Sequence, residues 1–264
     1  MFRSTCFACM TLAAACVSAQ DISPLPQAHA HNDYLHERPL LDALEQGFCS
    51  VEADIFLVEN ELRIGHFRYQ LAPGKTLEKL YLEPLLKRAQ ENSGSVYKGS
   101  DAEFTLLIDI KTEGKETFER LHQTLMKFKS LLSGVQDGSY TRRAVTVIIS
   151  GNRAAEQIES TSPRFCGIDG RLSDLDSPNP AHLMPLISDN WRKHFSWQGE
   201  GPMPNEQRER LRKIVATAHD SGRRVRFWAT PESEELWSEL RSAGVDLLNT
   251  DDLPRMRQFL ERAN

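Results

Sequence analysis

Eight short, mostly apolar runs recur along the chain, and a helical or loop-like segment follows each of them. Most of these runs are apolar on both sides, which is typical of parallel strands buried on two faces. Because parallel strands need a crossover segment between them, this alternation predicts an α/β fold. The expected strands are the run that ends at His31, then Ser50–Phe56, Phe104–Lys111, Ala144–Ser150, Phe165–Arg171, Met184–Asn190, Arg224–Ala229 and Val245–Thr250.

Eight strand–helix units predict one TIM (β/α)8 barrel as a single domain over residues 20–264. A doubly wound open sheet is the alternative architecture. It is less favoured because no glycine-rich phosphate-binding sequence follows any of the expected strands. In a barrel, the side chains at the carboxyl ends of the strands line the active site. Reactive side chains are therefore expected at those ends.

Polar side chains stand at the expected carboxyl end of every strand. Four of them, Asn152, Arg171, Asn190 and Trp228, are expected to line a pocket together with Asn32, which directly follows His31. Such a rim of polar side chains at one end of a barrel is typical of an active site. The full set at the strand ends is His31, Glu52, Asp54, Asp109, Lys111, Ser150, Asn152, Asp169, Arg171, Asn190, Trp228 and Asp251.

Two carboxylates lie two residues apart in the second strand, where Glu52 and Asp54 alternate with apolar residues. They project to the same side, and burying both is costly unless a cation or a hydrogen-bond network compensates them. Asp109 from the neighbouring strand completes an all-oxygen set, which suits one divalent cation, Mg²⁺ or Ca²⁺. Spacing alone leaves a second interpretation open, in which the pair forms salt bridges with arginines such as Arg63 or Arg68.

Two histidines accompany these carboxylates within one strand–helix–strand unit. His31 and His66 come from different loops and could flank a bound phosphate, one as general base and the other as general acid. Lys111, with the metal, would stabilise charge on the phosphoryl oxygens. This set suits phosphodiester cleavage. We expect His29 to point away from His31 and to pack within the fold.

The motifs HAHNDY, SVEADIFLVENELRIGH and LLIDIK together resemble the phosphatidylinositol-specific phospholipase C-like, glycerophosphodiester phosphodiesterase superfamily. They are most similar to its altered-inheritance-of-mitochondria branch, as are FWATP and NTDDL near the C-terminus. The resemblance implies a barrel that hydrolyses glycerophosphodiester or phospholipid-type substrates. It also implies a divalent metal on Glu52, Asp54 and Asp109, an acid–base pair of His31 and His66, and a lysine on the phosphate side, Lys111.

The chain departs from glycerophosphodiesterases at the first motif, where His31-Asn32-Asp33 replaces HRG and its phosphate-holding arginine. The substrate head group and the choice between hydrolysis and cyclic-phosphate formation therefore stay open. One rival hypothesis is a non-catalytic barrel that binds a phosphorylated ligand. Another is an amidohydrolase with an HxH metal site, which would need further histidines after the fifth and sixth strands.

The N-terminus has the pattern of a signal peptide over residues 1–19: Arg3, an apolar run, and Val17-Ser18-Ala19 as a cleavage site. It predicts export to the periplasm or the exterior, without stable membrane insertion after cleavage. Lipidation at Cys16 is a less favoured alternative, because the sequence before it is a poor lipobox.

The remaining composition says less about partners. The net charge of −5 comes without any basic tract, which argues against nucleic acid. The expected partner is instead a small-molecule or lipid phosphodiester, and the oligomeric state is open. Cys49 and Cys166 lie outside the predicted signal, and a disulfide between them is permitted but not required.

Overall fold

A computed structural model describes residues 22–262. Its strands follow the predicted runs closely, and three additional short strands form hairpins. The eleven strands are β1 (Leu25–Ala30), β2 (Phe48–Val58), β3 (Glu61–Ile64), β4 (Phe104–Ile110), β5 (Gly134–Gln136), β6 (Ser139–Thr141), β7 (Val145–Gly151), β8 (Gly167–Gly170), β9 (Leu186–Asn190), β10 (Arg224–Trp228) and β11 (Leu248–Thr250).

Eight of these strands form a nearly closed parallel barrel, in the order β10-β9-β8-β7-β4-β2-β1-β11. A parallel bridge between Arg226 and Leu247 joins the two ends of this order. At the same place, the carbonyl oxygen of Val225 accepts hydrogen bonds from the backbone N–H groups of Asp246 and Leu247. The predicted TIM barrel is therefore confirmed, and the open doubly wound sheet is wrong.

Helices surround the barrel because their apolar faces pack on the outward-facing residues of the strands. The long helix after β4 follows a capping glutamate, Glu113, whose carboxylate accepts from the backbone N–H groups of Lys115 and Glu116. A π-helical turn, Glu78–Leu82, leads directly into the second helix. The helices are α1 (Leu41–Glu45), α2 (Glu83–Glu91), α3 (Gly114–Lys127), α4 (Ala155–Ser160), α5 (Trp191–His194), α6 (Asn205–Asp220), α7 (Glu234–Ser242) and α8 (Leu253–Arg262).

The barrel interior is apolar in its middle layer and polar at one end. In β4, Leu107 faces inward and forms a small buried cluster with Ile148, Leu186 and Leu247 from other parts of the barrel wall. Asp109 lies two residues further along β4, on the same side and therefore above this cluster. The apolar layer thus supports the polar mouth from below.

Two hairpins and one loop differ from the simple strand–helix alternation. β3 pairs antiparallel with β2 and returns the chain to the mouth, where the N–H of Gly65 donates to the carbonyl of Asp54. β5 and β6 form a separate two-stranded sheet. In the segment after β9, Trp191 and Phe195 stack with ring centroids 4.0 Å apart and are buried against Phe227. These aromatic residues pack in the core.

The remaining sequence expectations concern thiols and membranes. Cys49 and Cys166 are both free and buried, so they do not pair with each other. Within residues 22–262, no helix is both long and apolar enough to cross a bilayer. The predicted signal peptide and Cys16 lie outside the described residues.

Candidate active site

The three predicted carboxylates converge at the mouth of the barrel. β2 and β4 are neighbours in register, so that Asp54 lies beside Asp109, and Glu52 lies two residues earlier on the same face. One oxygen from each of Glu52, Asp54 and Asp109 lies within 4.8 Å of the others. Oδ1 of Asp54 is buried without a hydrogen-bond partner in the described part of the chain. A buried, unpaired carboxylate oxygen in an all-oxygen cluster is what a hard divalent cation would satisfy.

Two protein cations already contact this cluster. Nζ of Lys111 lies 3.0 Å from Oδ2 of Asp54 and 3.1 Å from Oδ1 of Asp109. Nη2 of Arg226 donates to Oε2 of Glu52 over 2.6 Å, and both partners are buried. The carboxylates are therefore paired with cations, as the salt-bridge interpretation of the sequence expected, but with different ones.

The arginines proposed from spacing do not take part. Arg63 pairs with Glu59 and Glu61 on the outside of the β2–β3 hairpin, and Arg68 stacks over the ring of Phe56. Both side chains belong to the hairpin surface because β3 turns its polar positions away from the barrel axis. The salt-bridge expectation for Arg63 and Arg68 is therefore wrong.

The pKa values of the three carboxylates are shifted in different directions by burial and by neighbouring charges. Burial raises the pKa of Asp109 to about 6, and the charges of Asp54 and Glu52 add to this effect against the opposing charge of Lys111. Burial and the Glu52 charge also raise the pKa of Asp54. For Glu52 burial alone would raise the pKa, but the Arg226 charge, the hydrogen bond from His29 and the charges of the two histidines together outweigh it and lower the pKa. A bound cation would favour the ionised forms of Asp54 and Asp109.

His31 is held by a carboxylate from the far end of the chain. Its Nδ1 lies 2.9 Å from Oδ1 of Asp251, and the side-chain amide of Asn32 lies 2.9 Å from the same nitrogen. Burial disfavours the charged ring, but the hydrogen bond to Asp251 and the charge of Glu52 together outweigh it and raise the pKa of His31. With Nδ1 engaged, Nε2 is the ring nitrogen available to the mouth.

His66 is held in a similar way by Asp54. Its Nδ1 lies 2.8 Å from Oδ2 of Asp54, and the hydroxyl of Tyr34 lies 3.1 Å from that nitrogen. The same hydroxyl donates to Asp54 over 2.7 Å and to Oδ1 of Asn32 over 2.6 Å as alternative acceptors. Tyr34 therefore connects the two histidine loops through the carboxylate of Asp54.

His29 does not point away from His31, and that expectation is wrong. Residues two apart in a strand share a side, so His29 faces the barrel interior directly below His31. It is fully buried, with Nδ1 2.7 Å from Oγ of Ser50 and Nε2 3.5 Å from Oε2 of Glu52. Burial and the charge of Arg226 lower the pKa of His29 to about 3, so the ring is neutral at physiological pH.

A cavity of about 500 Å³ opens above these groups at the barrel mouth. Both histidines, Lys111, Glu52 and Asp109 line it. Of the predicted pocket residues, four also line it: Asn32, Asn152, Arg171 and Trp228.

Asn190 is the exception among the predicted pocket residues, because it does not line the cavity. Its side-chain oxygen accepts a hydrogen bond from the backbone N–H of Arg192 and caps α5. A cap turns the side chain toward its own helix, which a strand-end position in the sequence does not disclose.

Comparisons with known proteins agree with this architecture. A model of the AIM6-like phosphodiesterase domain matches residues 17–166, and a model of the glycerophosphoryl diester phosphodiesterase family matches residues 224–254. The altered inheritance of mitochondria protein 6 homolog of Arthroderma benhamiae is 32% identical over 265 residues, covering 88% of this chain and 82% of that protein. Its counterpart from Eremothecium gossypii is 31% identical and is covered over 71% of its length. The chain belongs to the AIM6-like phosphodiesterase family.

Two solved structures share the fold of this AIM6-like chain. A glycerophosphodiester phosphodiesterase from Parabacteroides distasonis aligns with a TM-score of 0.54 at 17% identity, over 90% of this chain and 98% of that one. A glycerophosphodiester phosphodiesterase from Agrobacterium tumefaciens aligns with a TM-score of 0.54 at 14% identity, over 91% of this chain and 100% of that one. The resemblance predicted from the motifs is confirmed.

The names of the relatives contradict the prediction of export. Three relatives are named for altered inheritance of mitochondria: those from Arthroderma benhamiae, Eremothecium gossypii and Saccharomyces cerevisiae. This name implies a mitochondrial role and not secretion. The AIM6-like domain match also begins at residue 17, inside the segment assigned to a signal peptide. An apolar run followed by small residues is a weak indicator of a signal peptide, and here it led to a wrong prediction of the localisation.

Sequence reasoning did not single out Arg226 or Tyr34 in this AIM6-like barrel, and it placed Asp169 at a strand end without giving it a contact. Arg226 lies inside the run RVRFWA, where alternation could have shown an inward cation among apolar residues. Tyr34 lies in a loop, where no periodicity fixes its direction. Asp169 is buried and accepts hydrogen bonds from Ser150, Ser188 and the guanidinium of Arg171, which it holds toward the mouth.

Proposed function

We propose that this protein is a metal-dependent phosphoric diester hydrolase that acts on a glycerophosphodiester or phospholipid-type substrate. The observation that carries the proposal is the placement of three carboxylates and two carboxylate-held imidazoles around one cavity. Membership of a phosphodiesterase family supports the same reaction class.

One divalent cation, Mg²⁺ or Ca²⁺, would be held by Glu52, Asp54 and Asp109. The residues fit such an ion because the donors are all oxygens and because Oδ1 of Asp54 has no other partner within residues 22–262. The two hydrogen bonds that Glu52 receives both end on Oε2, so its second oxygen is available as well. When bound, the cation would supply Lewis-acid polarisation of the phosphoryl oxygens.

The two histidines would move the protons of the reaction. Asp251 occupies Nδ1 of His31 and Asp54 occupies Nδ1 of His66, so each ring would present Nε2 to the substrate. One ring takes the proton of the attacking water or substrate hydroxyl as the new P–O bond forms. The other protonates the leaving alkoxide as the old P–O bond breaks.

Cationic side chains around the cavity would bind the anionic phosphodiester. Lys111 is held at the carboxylate cluster, and its ammonium group can reach a phosphoryl oxygen. Arg171 is fixed by Asp169 and by the carbonyl of Gly170, and it lines the same cavity. Asn32 stands where glycerophosphodiesterases have the arginine of HRG. Arg171 thereby offers a guanidinium group on the opposite side of the barrel mouth.

A non-catalytic barrel that binds a phosphorylated ligand is the second candidate. The contacts of Lys111 with Asp54 and Asp109 favour it, because a protein cation already offsets part of the acidic charge. Replacing His31 with Ala separates the two functions. An enzyme would lose turnover by about two to four orders of magnitude, whereas a binding protein would keep its ligand.

The decisive test combines hydrolysis with metal binding. Bis(p-nitrophenyl) phosphate and glycerophosphodiesters are offered to the protein with EDTA, and then with Mg²⁺ or Ca²⁺ restored. Calorimetric titration of the ion is compared between the wild type, Asp109→Asn and the exposed control Asp137→Asn. We expect activity that requires the ion, and binding lost only in Asp109→Asn. Hydrolysis that EDTA leaves unchanged, or titration without any binding, would contradict the metal site.

A further inference from the structure

Exposed apolar side chains gather on one side of the barrel mouth. Within residues 22–262, five large apolar or aromatic side chains are exposed, and three of them come from the loops after β1 and β3. Tyr69 is 81% exposed, Leu35 59% and Phe67 49%. Exposed apolar side chains are common singly, but a group of them beside a site indicates a binding surface.

These three side chains lie on the two loops that carry the histidine pair. Phe67 directly follows His66 and packs against its ring in an edge contact, with centroids 4.5 Å apart. Phe67 and Tyr69 stack on each other with centroids 5.4 Å apart and rings nearly parallel. Leu35 directly follows Tyr34, whose hydroxyl contacts His66. The apolar side chains therefore stand next to His66, which lines the cavity of the proposed site, and to its partner Tyr34.

A second cavity, of about 570 Å³, lies between the two loops. Leu35, Pro39, Ile64 and Leu80 line it together with polar and charged residues, among them Glu37 and Lys75. Its size is that of a small-molecule or acyl-chain pocket, and Leu35 belongs both to its wall and to the exposed apolar group.

The exposed charges beside these side chains are mostly positive. Arg68, Lys75 and Lys79 are exposed, and none of them makes an ion pair within the described residues. The nearest acidic residue of this segment, Glu78, is paired with Lys127 and Arg120 on the outside of the barrel. Glu37, on the loop after β1, contributes one opposing charge to the lining of the second cavity.

We propose that Leu35, Phe67 and Tyr69, flanked by Arg68, Lys75 and Lys79, form a docking surface for an anionic lipid–water interface. Stacked aromatic rings suit the boundary between headgroups and acyl chains, and unpaired cations beside them suit anionic headgroups. An anionic lipid surface would use both parts of this patch, whereas a purely apolar partner would not need the three cations. Docking at this surface would bring the lipid interface next to His66 at the barrel mouth.

This docking goes beyond the proposed hydrolysis and can be measured without it. The metal is removed with EDTA, and the protein is sedimented with vesicles of phosphatidylcholine alone or of phosphatidylcholine mixed with phosphatidylglycerol. The wild type is compared with Phe67→Ser/Tyr69→Ser and with Arg68→Ser/Lys75→Ser/Lys79→Ser. Tyr140→Ser is the matched control, because Tyr140 is 44% exposed on the separate β5–β6 hairpin.

We expect binding to the mixed vesicles that is about tenfold weaker in the aromatic variant and about fivefold weaker for each cation removed. Tyr140→Ser should bind like the wild type, and circular dichroism should be unchanged in all variants. If the aromatic variant were unfolded, the cation variant alone would decide, since its three side chains are exposed and unpaired. Absence of vesicle binding, or equal binding by the wild type and both patch variants, would overturn the proposal. So would a patch variant that changes only self-association, which would assign the surface to a second copy of the chain.

Discussion

The carboxylate of Asp251 lies 2.9 Å from Nδ1 of His31, although the two residues are 220 positions apart. The contact exists because β1 and β11 are neighbours in the barrel, so the loops that follow them meet at the mouth. A carboxylate on Nδ1 fixes the tautomer of a neutral imidazole and stabilises its protonated form. Asp251 is therefore a positioning residue for His31.

Replacing Asp251 with Asn should lower kcat for phosphodiester hydrolysis about 10- to 100-fold, because the ring loses its orientation and its charge partner. The hydrogen bond and charge of Asp251 raise the pKa of His31, so the limb of the pH–rate profile that reports this ring should move to lower pH. Asp252→Asn is the control, since Asp252 caps α8 through the N–H of Arg255 and Asn caps equally well. Identical pH profiles for Asp251→Asn and Asp252→Asn would refute the pairing.

Arg226 and Glu52 form a buried ion pair inside the barrel, and Nε of Arg226 also donates to Asn249. Arg226→Met should lower the free energy of unfolding by about 3–5 kcal/mol, because the carboxylate of Glu52 would stay buried without its cation. Urea denaturation measures this loss. The double variant Arg226→Met/Glu52→Gln should recover much of it, since the unpaired charge is removed. A double variant that is less stable than Arg226→Met would argue against this cause.

The sequence predicted those parts of the site that depend on strand periodicity. Glu52, Asp54 and Asp109 could be assigned to one side of adjacent strands because side chains alternate with period two. The same rule, applied correctly, would have placed His29 beneath His31. It could not show that Asn190 turns back to cap a helix or that Tyr34 reaches Asp54. Those directions depend on loop conformation and on contacts between distant segments, which have no local periodicity.

The close approach of β7 to Asp109 should make Gly151 irreplaceable. Its φ of 67° lies in the left-handed region, and a Cβ atom there would meet the Asp109 carboxylate and the carbonyl of Ile110. Gly151→Ala should therefore cost about 1–3 kcal/mol of stability and displace Asp109 from the carboxylate cluster. Thermal unfolding and calorimetric metal titration check both effects. Gly138→Ala is a useful control, because Gly138 also has positive φ but has open space around it. Metal affinity that falls equally in both variants would not support this contact.

A buried carboxyl near the site should make stability fall as pH rises. Asp33 is fully buried, and burial raises its pKa to about 7, although the N–H of Leu40 and the hydroxyl of Tyr81 donate to its Oδ2. Its other oxygen, Oδ1, has no partner in the described chain, which suits a protonated carboxyl.

Between about pH 4 and pH 7 the folded protein keeps the proton of Asp33 while the unfolded chain releases it. The contribution of Asp33 to stability should therefore decline through this range and stay constant above it. Asp33→Asn removes the titration but can keep both accepted hydrogen bonds. The stability of the variant relative to the wild type should thus rise by a few kcal/mol at most from pH 4 to pH 8. Urea denaturation at several pH values checks this, and a difference that is independent of pH would show that Asp33 is ionised in the folded protein throughout.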